Sequence, residues 1–263
     1  MSTVVFLGGG RITSAMLAGL RLRKTQYRLV VHDRNISKLR DLRKRYGASI
    51  EADLHGAVQQ ADILIVAVRP DSIKNLLASI MPASRPILAV SLAAGVPLRN
   101  LRKGLGPPVR WARAMPSPVC RSGRGLTAVT FPSKVSPQDR NKVCEFFASF
   151  GQVVDIPESK FDAFTVTYSS SHGYHALATL AQAAQELGLD RKTALLASAH
   201  ALGDGIIAWR DGGHSLESLL AEAATPGGIA ATTMSGMDAA GYGSAVRKGL
   251  MAGLRRARAN ARK

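Results

Sequence analysis

At 263 residues, with 46% hydrophobic and 20% charged side chains, the chain can bury a core in one large or two smaller domains, which excludes a disordered polypeptide. No apolar run approaches the ~20 residues needed to span a bilayer. Met1-Ser2-Thr3 runs straight into a strand pattern, so the expectation is a cytoplasmic protein without a leader. The net charge of +17 raises nucleic-acid binding, but aromatics are only 5%, too few for a stacking platform, and the basic residues are spread along the chain. Their densest runs, Arg21-Leu22-Arg23-Lys24, Arg40 to Arg45 and the tail Arg255 to Lys263, read as solvated helix faces and an exposed end. Cys120 and Cys144 form neither a CxxC pair nor a metal spacing, and no His/Cys/Asp/Glu cluster has ligand spacing, so reduced thiols and no metal are expected. No Gly-x-Ser-x-Gly elbow is present.

In chain order, the apolar run Val4 to Leu7 meets Gly8-Gly9-Gly10, and a helical pattern follows at once. Ile12, Ala15, Met16, Gly19 and Leu20 share one face of that helix. A strand, a glycine turn and a helix present bare N–H groups and a positive helix end to a phosphate. Gly8 permits the tight turn and Gly10 a close approach to a pyrophosphate, with Arg11 and Ile12 opening the helix. A third glycine is expected at position 13, where Thr13 stands as a defect in the motif.

Tyr27 to His32 reads as a second strand, Ile36 to Tyr46 as a helix, Ala48 to Ile50 as a short strand and Leu54 to Gln60 as a small helix. Asp62 to Val68 is a continuous apolar strand, as expected of a parallel strand buried on both faces. Helical spacing covers Asp71 to Met81, and Pro86 to Ser91 is another buried strand. Val109 to Met115, Leu126 to Phe131 and Gln152 to Ile156 supply further strands, with a helix inside Pro132 to Phe150. This alternation predicts right-handed βαβ units in a doubly wound, mostly parallel sheet, an α/β Rossmann domain over residues 1–157. From residue 158 strand patterns vanish. Segments 160–188, 190–210, 215–223 and 228–259 read as helices, crowded with small residues such as Ala176, Ala181 and Ala184. They predict an all-α domain over 158–263 that completes its core against a second copy.

An acidic residue ~20 positions past the glycines is the next element of a dinucleotide fingerprint, and Asp33 stands there. Its carboxylate can accept from the ribose hydroxyls of NAD, or simply cap the following helix. Arg34 beside it, with Lys38 one turn on, can hold the 2′-phosphate of NADP instead. The two signals conflict, and the balance falls slightly toward NADP(H) over NAD(H).

Five short stretches then fall in order: Phe6-Leu7-Gly8-Gly9-Gly10-Arg11-Ile12, Ala67-Val68-Arg69-Pro70, Ser91-Leu92-Ala93-Ala94-Gly95-Val96, Arg113-Ala114-Met115-Pro116 and Thr225-Pro226-Gly227-Gly228. In these the chain resembles the pyrroline-5-carboxylate reductase family over nearly its whole length. The resemblance implies a Rossmann domain, a helical dimerisation domain, and hydride delivery from NAD(P)H to a cyclic imine. It adds Ala67, Val68, Arg69, Pro70 and Ala93 to the cofactor set of Gly8, Gly10, Arg11, Ile12, Asp33 and Arg34. It places the substrate against Met115, Thr225, Gly227 and Gly228.

Where the family has Ser-Gly-Ser-Gly-Pro-Ala-Tyr, this chain has Ser169-Ser170-Ser171-His172-Gly173-Tyr174-His175. Where the family has Pro-Gly-Gly-Thr-Thr, it has Pro226-Gly227-Gly228-Ile229-Ala230, which leaves Thr232 or Thr233 to supply the missing hydroxyl. Met115-Pro116-Ser117-Pro118 also stands where the family has Met-Pro-Asn-Thr. Histidine changes charge near neutral pH, so His172 is the candidate proton donor to the imine, with Ser171 and Tyr174 beside it. The expected function is reduction of pyrroline-5-carboxylate or a related imine or carbonyl compound by a homodimer. The alternative is a non-catalytic dinucleotide-binding protein that keeps the reductase frame.

Overall fold

The computed structural model describes residues 1–81, 83 and 85–261; Arg262 and Lys263 of the basic tail lie outside the described residues. Eight strands form one sheet: β1 (Thr3–Leu7), β2 (Arg28–His32), β3 (Ser49–Ile50), β4 (Ile63–Val66), β5 (Ile87–Ser91), β6 (Val109–Pro116), β7 (Gly125–Thr130) and β8 (Gly151–Asp155). Their order is β3-β2-β1-β4-β5-β6-β7-β8. Every pairing is parallel except β6 with β7. The sequence reverses direction across the sheet between β1 and β4, which makes that seam the switch point where α/β sheets bind ligands.

Alternation along β1 feeds two cores. Val4 and Phe6 face a cluster with Leu17 and Leu20 of α1 (Arg11–Leu22), Leu39 and Leu42 of α2 (Ile36–Tyr46), and Phe146 and Phe147 of α6 (Pro137–Ala148). Val5 and Leu7 face the opposite cluster. That cluster holds Ala57 of α3 (Leu54–Gln59), Leu77 of α4 (Ile73–Ile80), and Leu98 and Leu101 of α5 (Leu98–Gly104). Each fully buried Leu or Phe contributes about 1.5–3 kcal/mol, so the doubly wound arrangement rests on apolar burial on both faces. Helix α5 is not visible in the apolar pattern, because its seven residues carry three cations and only two buried leucines.

The predicted helix over 160–188 is two helices, α7 (Glu158–Thr167) and α8 (Ser170–Glu186). Tyr168 leaves the helical region between them (φ −87, ψ 75), and its hydroxyl accepts the Leu126 N–H at 2.8 Å. The predicted helix over 228–259 is likewise α11 (Ile229–Ala239) and α12 (Tyr242–Asn260), interrupted by Gly241 at φ +83. Neither break carries a proline, so the apolar periodicity runs through both. Helices α9 (Arg191–Gly212) and α10 (Leu216–Ala223) lie between them.

The chain divides into two compact units, Met1–Tyr168 joined by the segment from Gly253 onward, and Ser169–Ala252. The described part of the basic tail, as far as Ala261, is therefore docked on the first unit. Ala257 is buried, its carbonyl packs on Gly95, Asn260 Nδ2 donates to the Ala94 carbonyl, and Asn100 Nδ2 donates to the Ala261 carbonyl. Among the described residues of the tail, the cations Arg255, Arg256 and Arg258 stay exposed, as the charge pattern predicts. Helix α7 also belongs to the first unit. Phe161 is fully buried, and Arg113 of β6, only 2% exposed, reaches Glu158 at 3.3 Å and Asp162 at 3.2 Å while its guanidinium lies 4.3 Å over the Phe161 ring.

Removing one member of such a network strands the others. Arg113→Ala is expected to lower stability by roughly 2–4 kcal/mol, the upper range being reserved for fully desolvated partners. Arg113→Lys should lose less, because a cation remains. Urea melts of the three proteins check this; equal midpoints would show that the network adds nothing.

Candidate functional site

The carboxyl ends of four strands are level. Leu7 is in register with His32 and Val66, and Val66 with Ser91. Gly8, Asp33 and Ala67, which follow directly, and Ala93, two positions past Ser91, therefore emerge along one edge, with Met115 two positions beyond Arg113, the register partner of Ser91.

At the switch point Gly8 has φ +108, a conformation that disfavours side chains, and an added Cβ would lie 2.8 Å from the Ala67 carbonyl. Its N–H donates to the His32 carbonyl at 2.8 Å. Thr13 is not a defect. It is fully buried, and its hydroxyl donates to the Gly8 carbonyl at 2.5 Å, closing the turn that a third glycine was expected to leave open. Gly10 is the N-cap of α1 without any side-chain cap, and nothing stands within 4 Å of where its Cβ would be. The first N–H groups of α1 have no intrahelical acceptor and sit at the positive end of a twelve-residue helix. This cradle fits the pyrophosphate of a dinucleotide.

Asp33 does not cap α2. The cap is Asn35, whose Oδ1 accepts from Ser37 N–H at 3.0 Å and Lys38 N–H at 3.2 Å. Asp33 Oδ2 instead accepts the Gly9 N–H at 2.8 Å, and Oδ1 the Asn35 N–H at 2.8 Å. Arg34 is exposed, and Lys38 Nζ stands 3.9 Å from Asp33. Arg11 and Arg69 are also exposed at this edge, while Ile12, Val68 and Pro70 are half-buried and Ala93 is buried, its N–H held by Ser91 Oγ at 3.2 Å. The structure thus brings the sequence-predicted cofactor residues together on one unit.

The substrate candidates other than Met115 lie in the second unit. Ser171, His172 and Tyr174 occupy the first turns of α8, all exposed. Ser169 is the N-cap, and its hydroxyl meets Ser171 Oγ at 2.7 Å. Thr225, Gly227 and Gly228 form the turn before α11, with Gly227 at φ +76 and Gly228 an N-cap that has no side-chain hydrogen bond. The Thr232 and Thr233 hydroxyls donate back to the Gly228 and Ile229 carbonyls, at 3.1 and 2.9 Å, leaving lone pairs but no free proton. Burial pushes the Cys120 thiol up to about 12, and the Cys144 thiol is raised for the same reason, which disfavours the reactive thiolate at both. Among the described residues no group of three His, Cys, Asp or Glu is placed to hold a metal.

A family model described as pyrroline-5-carboxylate reductase dimerisation matches residues 158–260, and one described as NADP oxidoreductase, coenzyme F420-dependent, matches residues 3–95. The pyrroline-5-carboxylate reductase of Methanosarcina acetivorans is 30% identical over 220 residues, which is 80% of each chain. The chain belongs to the pyrroline-5-carboxylate reductase family. The family's Synechocystis enzyme is 29% identical over 255 residues, 95% of both chains. Two solved pyrroline carboxylate reductases share the fold: that of Coxiella burnetii (24% identity, TM-score 0.88) and that of Plasmodium falciparum with NADP bound (20%, 0.87). Each likeness covers 99% of this chain and 98% of the other.

Motif reading missed the Asn35 cap and took Thr13 for a defect where its hydroxyl closes the turn. A small hydroxyl residue where a glycine is expected was the available signal for Thr13.

Gly8→Ala forces a side chain into a left-handed conformation and against a backbone carbonyl. A strained residue of this kind costs about 1–3 kcal/mol, so dinucleotide affinity should fall by about tenfold or more. Fluorescence titration with NADPH measures it; an unchanged Kd would mean that the turn does not hold the cofactor.

Proposed function

We propose that this protein reduces pyrroline-5-carboxylate, or a closely related cyclic imine, using NADPH in preference to NADH. The observation that carries the reading is the open, uncapped cradle at Gly8–Gly10 on a chain of this family. The curated relatives named pyrroline-5-carboxylate reductase, the match to a family of NADP oxidoreductases and the exposed Arg34 support it. When bound, the nicotinamide supplies the hydride.

What this chain's own residues contribute follows from the chemistry of a C=N bond. A protonated imine is already electrophilic, so it mainly has to be oriented and kept from water. The uncapped α11 N-terminus at Gly227–Gly228 offers N–H groups to the substrate carboxylate, with Thr225 and Thr232 beside it. His172, flanked by Ser171 and Tyr174, supplies the proton that converts the neutral imine into its protonated form, and hydride addition to the carbon of that cation then gives the neutral amine. Met115 lines the edge of the sheet that faces the nicotinamide. We place the functional division near residue 157, where the dimerisation match begins. The homodimer would form through the second unit. Exposed Leu195, Leu196, Ile206, Ile207 and Trp209 on α9 and Leu216 and Leu220 on α10 support that reading, since a lone soluble unit seldom exposes so many.

The alternative, dinucleotide binding without turnover, is favoured by one observation: Ile229-Ala230 stands where the family turn has two threonines. Assay of NADPH oxidation across a panel of cyclic imines separates the two. Oxidation with pyrroline-5-carboxylate or a close analogue is expected; tight NADPH binding with no oxidation across the panel would favour the alternative. His172→Ala should lower kcat by about 10²-fold or more and remove one limb of its pH profile, as loss of a general acid does. Unchanged kcat and profile would remove His172 from the mechanism. Arg34→Ala should lower the NADPH-to-NADH ratio of kcat/KM by roughly tenfold, a charge-assisted contact being worth about 1.5–3 kcal/mol. An unchanged ratio would sink the phosphate role.

A further inference from the structure

We infer that Asp33 is a positioning residue, which locks the glycine turn in its phosphate-ready shape and is not a ligand of the cofactor ribose. The inference rests on the dinucleotide reading above and concerns what one side chain does within it. In a ribose-binding fingerprint the carboxylate of the acidic residue accepts from the ribose 2′-hydroxyl. Here both oxygens already have backbone partners on separate loops, Gly9 N–H on Oδ2 and Asn35 N–H on Oδ1, each at 2.8 Å. Only 15% of the side chain is exposed. The Gly9 backbone is packed tightly as well, since an added Cβ would stand 3.0 Å from Leu42 Cδ1 and 3.5 Å from Asp33 Cβ and Oδ2.

The consequence for the turn is geometric. Gly8 N–H goes to the His32 carbonyl and Gly9 N–H to Asp33, so two successive N–H groups are tied to the end of β2 and its loop. Gly10 and the first residues of α1 then carry the N–H groups left for an anion. Without Asp33 the Gly9 peptide is free to turn, and the cradle loses its shape. The consequence for specificity is electrostatic. A bare carboxylate would repel a 2′-phosphate, whereas one that accepts two N–H groups and has the Lys38 ammonium at 3.9 Å is largely compensated. Asp33 is then compatible with NADPH, and discrimination is left to Arg34.

The test compares the intact wild-type chain with Asp33→Ala, Asp33→Asn and Arg34→Ala by nicotinamide fluorescence, giving Kd for NADPH and NADH well below the melting temperature. Asp33→Ala is expected to weaken both cofactors by about tenfold or more while keeping their ratio within about twofold. Asp33→Asn keeps the shape but can accept only one of the two N–H groups, so it should weaken both equally and less; it decides the matter alone if the alanine variant does not fold. Arg34→Ala should move the ratio instead. A selective loss of NADH affinity in either Asp33 variant, or a gain for NADPH, would overturn the inference in favour of a ribose contact. Unchanged Kd values with a lowered Tm would overturn it in favour of a purely structural role. Wild-type protein that binds neither cofactor would overturn the dinucleotide reading itself, a result distinct from both.

Discussion

The close approach of Gly8 to the Ala67 carbonyl is the constraint on which the first unit depends. It lies where the order of strands reverses, and only a residue without Cβ lets the chain leave β1 sideways beside the end of β4. Three hydrogen bonds then fix the exit: Gly8 N–H to His32, Thr13 hydroxyl to Gly8, and Ala67 N–H to Leu7. Helix α1 starts where it does because those bonds aim it. The same exit leaves its N-terminus without a side-chain cap, a cost in unpaired donors that a bound anion would relieve.

Around that seam the fold was largely legible. Continuous apolar runs became buried parallel strands, and the edges of β2, β4, β5 and β6 lie within two residues of those read from sequence. Such runs are legible because both faces of the sheet are covered, so side chains on either face must be apolar. What escaped was set by partners distant in sequence. Helix α5 is short and cationic; the break at Tyr168 depends on a hydroxyl reaching Leu126, forty-two residues away. The tail reads as solvated because its arginines dominate the composition, while the contacts that dock it come from Ala257, Asn260 and a backbone carbonyl.

The candidate site divides along similar lines. Glycines with a required conformation and an acidic residue at a fixed distance identify the cofactor half, because phosphate recognition by backbone imposes the same demands on any chain. The actual duty of Asp33 was hidden, since a carboxylate that receives sugar hydroxyls and one that receives peptide N–H groups occupy the same place in sequence. The proposed substrate half is written in side chains without such rules. Ser171 and Thr232 make only local hydrogen bonds, and their neighbours on α8 and α11 are exposed in the single chain. What they would face beside a ligand or a second copy is not encoded by periodicity.

The return of the chain from Gly253 onward makes the second unit an insertion within the first. During synthesis the sheet strands all emerge before the helical unit, yet the groove beside Gly95, Ala94 and Asn100 waits for Ala257 to Ala261, which follow that unit in the chain. The first unit can assemble its two apolar cores on the ribosome, but it is sealed only after the entire helical unit has been made. Completion of the Rossmann domain therefore reports that the helical domain already exists.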